Sequence, residues 1–283
     1  MGIVILTDSA ADLPQPMYDD YNIEMISLHV YSGEEEYLDG RTLQPQKLFA
    51  EMRQGKVFKT AQAEPAVFKD HFERYAKRGD SCLYVGFSSG LSSTYQSAAL
   101  ARSDVLQAYP GCQIALVDTK CASLGQGLVV YQAAKWAKET DDLDELAARV
   151  EAYARRMQHI FTVDDLEYLY RGGRVSRTTA WVGGILNIKP ILHVVDGKLV
   201  PLEKVRGKNK VIRRMVEIMG ERGSKLQEQT VGISHGDDLD AANKLMEAVT
   251  EAYGCQDFII SSIGCAIGAH SGPGTLALFF LTE

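Results

Sequence analysis

LYVGFSSGLSSTYQSA, residues 83–98, runs from an apolar stretch through a glycine-flanked pair of serines into a segment with helical spacing. A short β-rich run that turns through small polar residues into a helix is one unit of a largely parallel α/β sheet. The unit recurs on both sides. Ile3–Leu6 ends in Thr7-Asp8-Ser9, and Gln113–Val117 ends in Asp118-Thr119, followed by Ser123 and Gly125. In open parallel sheets such strand-end loops lie along one edge, where ligands bind. The three hydroxyl-bearing loops are therefore expected to converge.

Helices are predicted near 45–54, 66–77, 92–107, 122–139 and 142–157, the last opening on acids and carrying a leucine stripe. From about 158 the rhythm changes. HIFTV reads as a strand, DLEYLYRGGR as a helix closed by glycine, and WVGGILNIKPIL as a glycine-broken apolar stretch ending in a strand. VVDGKLVPLEKV has the Asp-Gly signature of a hairpin. A basic helix, the strand TVGISHG, a further helix from DDLDAANKLM and two last strands, DFIISSIG and TLALFF, complete the chain. The expected fold is α/β in two domains. Residues 1–157 form an N-terminal domain with a mainly parallel sheet and flanking helices, 158–283 form a second α/β domain, and a ligand lies between them.

The 283 residues, 46% hydrophobic, exceed what one ordinary core needs, which also favours two domains. A formal charge of −7 disfavours phosphate backbones and anionic membranes as main partners. The five cysteines are odd in number and widely spaced, as expected of reduced thiols in a cytoplasmic protein. No zinc spacing, P-loop or dinucleotide fingerprint is present, so no metal and no cofactor are expected. The four-residue apolar run at the N-terminus is too short for a secretory core. Leu6 stands where a myristoylation pattern needs Ser or Thr. LALFFL is far short of the ~20 residues that cross a bilayer, so no stable membrane insertion is expected.

Gly86-Phe87-Ser88-Ser89-Gly90 fits the nucleophile elbow of serine hydrolases. A lipid ester hydrolase would use Ser88 or Ser89 with His270 as base. Yet Ser92, Ser93 and Thr94 add hydroxyls that a nucleophile does not need, whereas hydroxyls and free N–H groups at a helix start suit a carboxylate or phosphate. Plain helix capping is the third reading. His270, in a glycine-rich loop of the tract IGAHSGPGTL, could donate to an anion in either protonation state. Asp8 and Asp12 lack the partner acids of a metal or phosphoaspartate site, and Ser9 or Asp12 is expected to cap the helix after Pro14. Two acid-free basic runs, Lys204–Arg214 and Arg171, Arg174 and Arg177, suit an acidic partner or phosphate, or serve simply as solvated faces.

With these tracts assembled, the chain resembles the DegV family of bacterial fatty-acid-binding proteins along nearly its whole length. TDSAADLP, KTAQAEPAVF, GFSSGLSSTYQSA, VDTKCASLGQG, DLEYLYRGGRVS, LNIKPIL, EKVRGKNK and IGAHSGPGTL stand in family order. The resemblance implies a FakB-like binding subunit, not itself an enzyme. Such a subunit encloses one long-chain fatty acid and presents its carboxyl group to a separate ATP-dependent fatty acid kinase, which makes the acyl-phosphate. It implies a carboxylate seat of Thr60, Ser89 or Ser92, and His270, with Arg174 near the head group. It makes Arg206, with Lys208 beside it, a candidate for kinase docking. Trp181, Ile185, Leu186, Ile188, Ile191, Leu192, Phe279 and Phe280 are candidate tunnel walls. Two departures from the family pattern stand out. Thr60-Ala61-Gln62-Ala63-Glu64 replaces a T-S-Q-P-S tract, and SGLSS replaces SGLSG. Glu64 would repel a carboxylate unless it points outward.

Overall fold

The computed structural model describes residues 2–176 and 188–283, leaving aside the side chains of Lys208 and Asn209. Strand β1 (Ile3–Asp8), helix α1 (Gln15–Asp20) and strand β2 (Ile23–Ile26) make the first crossover. Two short strands, β3 (His29–Ser32) and β4 (Glu35–Leu38), are followed by α2 (Pro45–Arg53) and β5 (Lys59–Ala61). Then come α3 (Pro65–Arg78), β6 (Ser81–Gly86), α4 (Thr94–Ala108), β7 (Ile114–Asp118), α5 (Leu124–Trp136) and α6 (Leu143–Arg155). Both α2 and α3 start on a proline at the first helical position, where the missing N–H costs nothing. Asp142 caps α6 by accepting from the Glu145 N–H at 2.9 Å. Leu143, Leu146, Val150 and Ala154 form its buried stripe.

The first sheet has the order β2-β1-β6-β7 and is parallel throughout. Its strand ends converge as the sequence predicts. The Ser89 N–H donates to Asp118 Oδ1 (3.1 Å), Thr119 Oγ1 to the Gly86 carbonyl (2.8 Å), and the Phe87 N–H to Asp8 Oδ2 (3.0 Å). Strands β3, β4 and β5 form a small antiparallel sheet that strand patterning did not foretell, since each carries only three or four residues.

The second half contributes β8 (Met157–Thr162), α7 (Glu167–Arg171), β9 (Ile188–Val195), β10 (Lys198–Arg206), α8 (Lys208–Arg222), β11 (Thr230–His235), α9 (Leu239–Tyr253), β12 (Asp257–Ser262), α10 (Cys265–Ser271) and β13 (Leu276–Leu281). Its sheet has the order β10-β9-β8-β13-β11-β12 and is mixed, with β13 antiparallel to both neighbours. The Asp-Gly signature holds: Asp196 (φ 49°) and Gly197 (φ 76°) turn β9 into β10. Helix α5, apolar and buried over most of its length, packs on strands of both sheets. One face of the six-stranded sheet (Ile160, Ile191, Leu278, Phe280) meets α8 and α9 in a separate core. No helix among the described residues is long and apolar enough to cross a membrane.

Candidate functional site

A cavity of about 360 Å³ opens where the strand-end loops of the first sheet face the second sheet. That volume lies within the range of small-molecule pockets, ~300–1,000 Å³. Its floor is one face of two paired strands. His159 and Phe161 of β8 stand opposite Phe279 and Ala277 of β13. Leu28, Phe87, Leu91, Leu169, Val194, Leu199, Ile263 and Ile267 supply most of the remaining apolar wall. Thr60, Ser89, Ser92, Arg174 and His270, all singled out in the sequence, line this same cavity, as does Phe279.

Thr60 sits on β5, and its Oγ1 lies 2.6 Å from His270 Nε2. His270 occupies the last turn of α10, so the loop expected there is a seven-residue helix. Small residues let it form: Ala266, Gly268 and Ala269 are buried among α2, α7 and the small sheet, and of the glycines flanking His270 that suggested a loop, Gly268 lies inside the helix and Gly272 ends it. The ring's other nitrogen, Nδ1, faces the backbone of Gly172; a Cβ added there would lie 2.1 Å from it. Glycine is thus required by close approach at the end of α7. Arg174 follows, its Nη1 donating to the Gly172 carbonyl (2.6 Å) and its Nε to the Leu91 carbonyl (3.1 Å).

The electrostatics favour an anion. Burial first, and the Arg174 charge second, pull His270 down to about 4, so the ring is neutral near pH 7. When the single proton is on Nε2 it donates to Thr60 Oγ1, leaving the threonine O–H to turn toward the cavity. Burial also lowers Arg174 from its ordinary value. No carboxylate among the described residues lies within ion-pair distance of this half-buried guanidinium. A buried cation without a counter-ion is costly unless a ligand supplies one.

The two serines are less free. Ser89 Oγ accepts from Lys120 Nζ (2.6 Å), and Ser92 Oγ is hydrogen-bonded to Thr94 Oγ1 (2.9 Å). Ser88, fully buried, donates to the Gly197 carbonyl (2.7 Å) and accepts from the Gly90 N–H (3.2 Å). The G-x-S-x-G tract therefore ties the β9–β10 turn to the first sheet. No Ser–His hydrogen bond exists among the described residues, and the hydrolase reading finds no support.

Other expectations are corrected. Ile188 does not line the cavity; it pairs with Arg206 at the open end of the hairpin. Ile191, Leu192 and Phe280 also lie outside the wall, packed in the cores. Phe280 points away because neighbouring strand residues alternate faces. Trp181, Ile185, Leu186 and Arg177 fall outside the described residues. Neither Ser9 nor Asp12 caps α1, which begins on Pro14 without a side-chain cap. Ser9 Oγ accepts from the Leu28 N–H (3.0 Å), while Asp12 accepts from Ser123 Oγ (2.5 Å) and the Gly264 N–H (2.9 Å). Arg214 ends a run that contains no acid, yet it pairs with Glu203, Glu217 and Glu221 from outside that run. Arg206 is exposed at the end of β10. Glu64 points outward: it is exposed at the start of α3, and its charge is felt by the half-buried Tyr31. Cys112 is half-buried, and the other four thiols are buried and free.

His159 opens the predicted strand HIFTV and lies on β8, 4% exposed, but it is not among the site residues that the sequence predicts. Its Nε2 accepts from the Ala122 N–H (3.2 Å), and burial holds it near 4. The alternation His159-x-Phe161 against Ala277-x-Phe279 is the signal that could have found the floor.

The family model described as "Uncharacterised protein, DegV family" matches residues 2–283. The chain belongs to the DegV family. A DegV domain-containing protein of Clostridium perfringens is 42% identical over 283 residues, 99% of this chain and 97% of that protein. Among solved structures, a DegV family protein from Thermus thermophilus described by its fatty acid binding superposes with a TM-score of 0.91 at 29% identity, covering 100% of both chains. DegV from Bacillus subtilis, described as a fatty acid binding protein, gives 0.88 at 30% identity, again covering 100% of both. The mixed α/β architecture described above is thus the DegV fold.

Proposed function

We propose that this DegV chain binds a long-chain fatty acid in the cavity and holds its carboxylate on Thr60, Ser89, Ser92, Arg174 and His270. The observation that carries this reading is an apolar chamber ending at a hydroxyl–imidazole pair 2.6 Å apart, beside a half-buried arginine that has no counter-ion among the described residues. Burying ~15 methylenes contributes on the order of 12 kcal/mol gross. The carboxylate would cost several kcal/mol without hydrogen bonds, and these donors offset that cost. The solved DegV relatives described as fatty-acid-binding support the same ligand class. In this reading residues 1–157 and 158–283 are two domains, and the lipid lies where they meet.

The role extends to a cytoplasmic binding subunit that offers its carboxyl group to a separate ATP-dependent kinase for acyl-phosphate formation, with Arg206 and Lys208 as the docking positions. Arg206 supports this by being exposed at a strand end. Denaturing mass spectrometry of the purified chain should release one intact long-chain fatty acid per protein. A chain that carries none, and that takes up none from oleate, would refute the reading. A Ser-reactive fluorophosphonate adduct would instead revive hydrolysis.

A further inference from the structure

The tract Gly90-Leu91-Ser92-Ser93-Thr94 carries a hydroxyl that the carboxylate seat proposed above does not use, that of Thr94. Thr94 opens α4 and heads its buried stripe of Ser97, Ala98, Ala101 and Val105; it is 0% exposed and does not line the cavity. Among the described residues its hydroxyl has a single partner, Ser92 Oγ at 2.9 Å, and the Thr94 N–H donates to the same oxygen at 3.2 Å. Ser92, by contrast, is half-buried and lines the cavity.

Proton counting decides the direction of the 2.9 Å bond. A hydroxyl has one proton and two lone pairs. If Ser92 donated, the Thr94 proton would be enclosed with no acceptor among the described residues, the costly way to bury a hydroxyl. If Thr94 donates, every group is served. Ser92 Oγ takes the Thr94 N–H on one lone pair and the Thr94 O–H on the other, and its own proton is left to turn into the cavity. Ser92 is then a donor only. A carboxylate, which only accepts, matches it, whereas an alcohol brings an O–H that finds no lone pair there. We propose that Thr94 is a positioning residue that fixes Ser92 as a donor and so makes the seat select a fatty carboxylate over the fatty alcohol of the same chain. This rests on the fatty-acid reading above. Arg174 favours the anion as well, so the test reads a change in selectivity against the parent.

Displacement of a fluorescent fatty acid from the full-length chain, by oleate and by oleyl alcohol, measures that selectivity. Thr94→Val keeps the shape, removes the hydroxyl and frees a lone pair on Ser92. Oleate should then bind about fivefold more weakly while oleyl alcohol binds as before or better, the size expected for one hydrogen bond. Thr94→Ser, which keeps the O–H, should restore the parent ratio. Ser92→Ala removes the donor itself and should lower the ratio by a similar factor, which keeps the test alive if Thr94→Val does not fold. Adding Thr94→Val to Ser92→Ala should then change the ratio no further. An unchanged ratio in either single variant, equal weakening of both ligands, or a further drop in the double variant overturns the proposal. A parent chain that binds no oleate would instead refute the fatty-acid reading, so the two failures are distinguishable.

Discussion

Two polar clusters adjoin the cavity, and they are built on opposite principles. Asp8, Asp12 and Asp39 are fully enclosed and consume donors: Tyr84, Phe87, Gln126 and Ala10 serve Asp8, Ser123 and Gly264 serve Asp12, and the Cys265 N–H (2.7 Å) serves Asp39. Thr60, His270 and Arg174 keep a mutual contact and backbone bonds but leave a cation without an anion among the described residues. Helix α10 joins the two clusters. Asp12 and Asp39 hold its first N–H groups, and His270 closes its other end. The acid cluster thus positions the open cluster. A helix of seven residues has little stability of its own, so the aim of His270 depends on the carboxylates at its start.

Breaking the acid end should have the largest effect. Asp12→Ala strands the Gly264 N–H and the Ser123 hydroxyl in the interior, an expected loss of about 2–4 kcal/mol in urea unfolding. Asp12→Asn, which keeps an acceptor, should lose far less. Equal losses would mean that charge rather than hydrogen bonding matters there.

The pH response sharpens the contrast, because the clusters carry opposite signs. His159 and His270, held near 4, stay neutral in the folded chain while the unfolded chain takes up protons below its ordinary histidine value of 6.5. Stability from these rings is therefore present above pH 6.5 and lost as pH falls toward 4, about 3 kcal/mol for the enclosed His159. Burial raises Asp8, Asp12 and Asp39, and the folded chain binds those protons first, so their contribution grows on acidification. A difference measurement isolates one ring. The stability gap between the parent and His159→Gln should shift against the parent by about 3 kcal/mol between pH 7 and pH 4. A gap that is flat with pH would show His159 to be ordinary in its titration.

The smallest effect belongs to the open cluster. Thr60→Val keeps the shape and removes the hydroxyl, so fatty acid affinity should drop about tenfold, near 1.4 kcal/mol. The fold should lose less than that. Unchanged affinity in a competition assay would remove Thr60 from the seat.

The sequence carried much of this arrangement. The strand-loop-helix rhythm placed the parallel sheet and the convergence of its loops, and Asp196-Gly197 marked the hairpin. What stayed hidden was long-range and short-element geometry. Thr60 meets His270 only because three tiny strands fold beside α10, and strands of three or four residues hardly register as alternation. Ser88 read as a nucleophile because a local pattern cannot reveal a partner 109 residues away. The sequence offers Ser9 or Asp12 as a cap for the nearest helix, whereas Asp12 reaches 252 residues ahead to Gly264. Phe279 and Phe280 looked alike until the register assigned them to opposite faces.

The cavity takes its walls from both ends of the polypeptide, Leu28 to Ser123 on one side and His159 to Phe279 on the other. A lipid seated there would act as a reversible internal strut. It would make the persistence of the folded chain depend on cellular lipid supply, adding about 2.7 kcal/mol when free ligand stands at 100 times its dissociation constant. Starvation for fatty acid would then be felt first as a softer protein and only afterwards as an empty one.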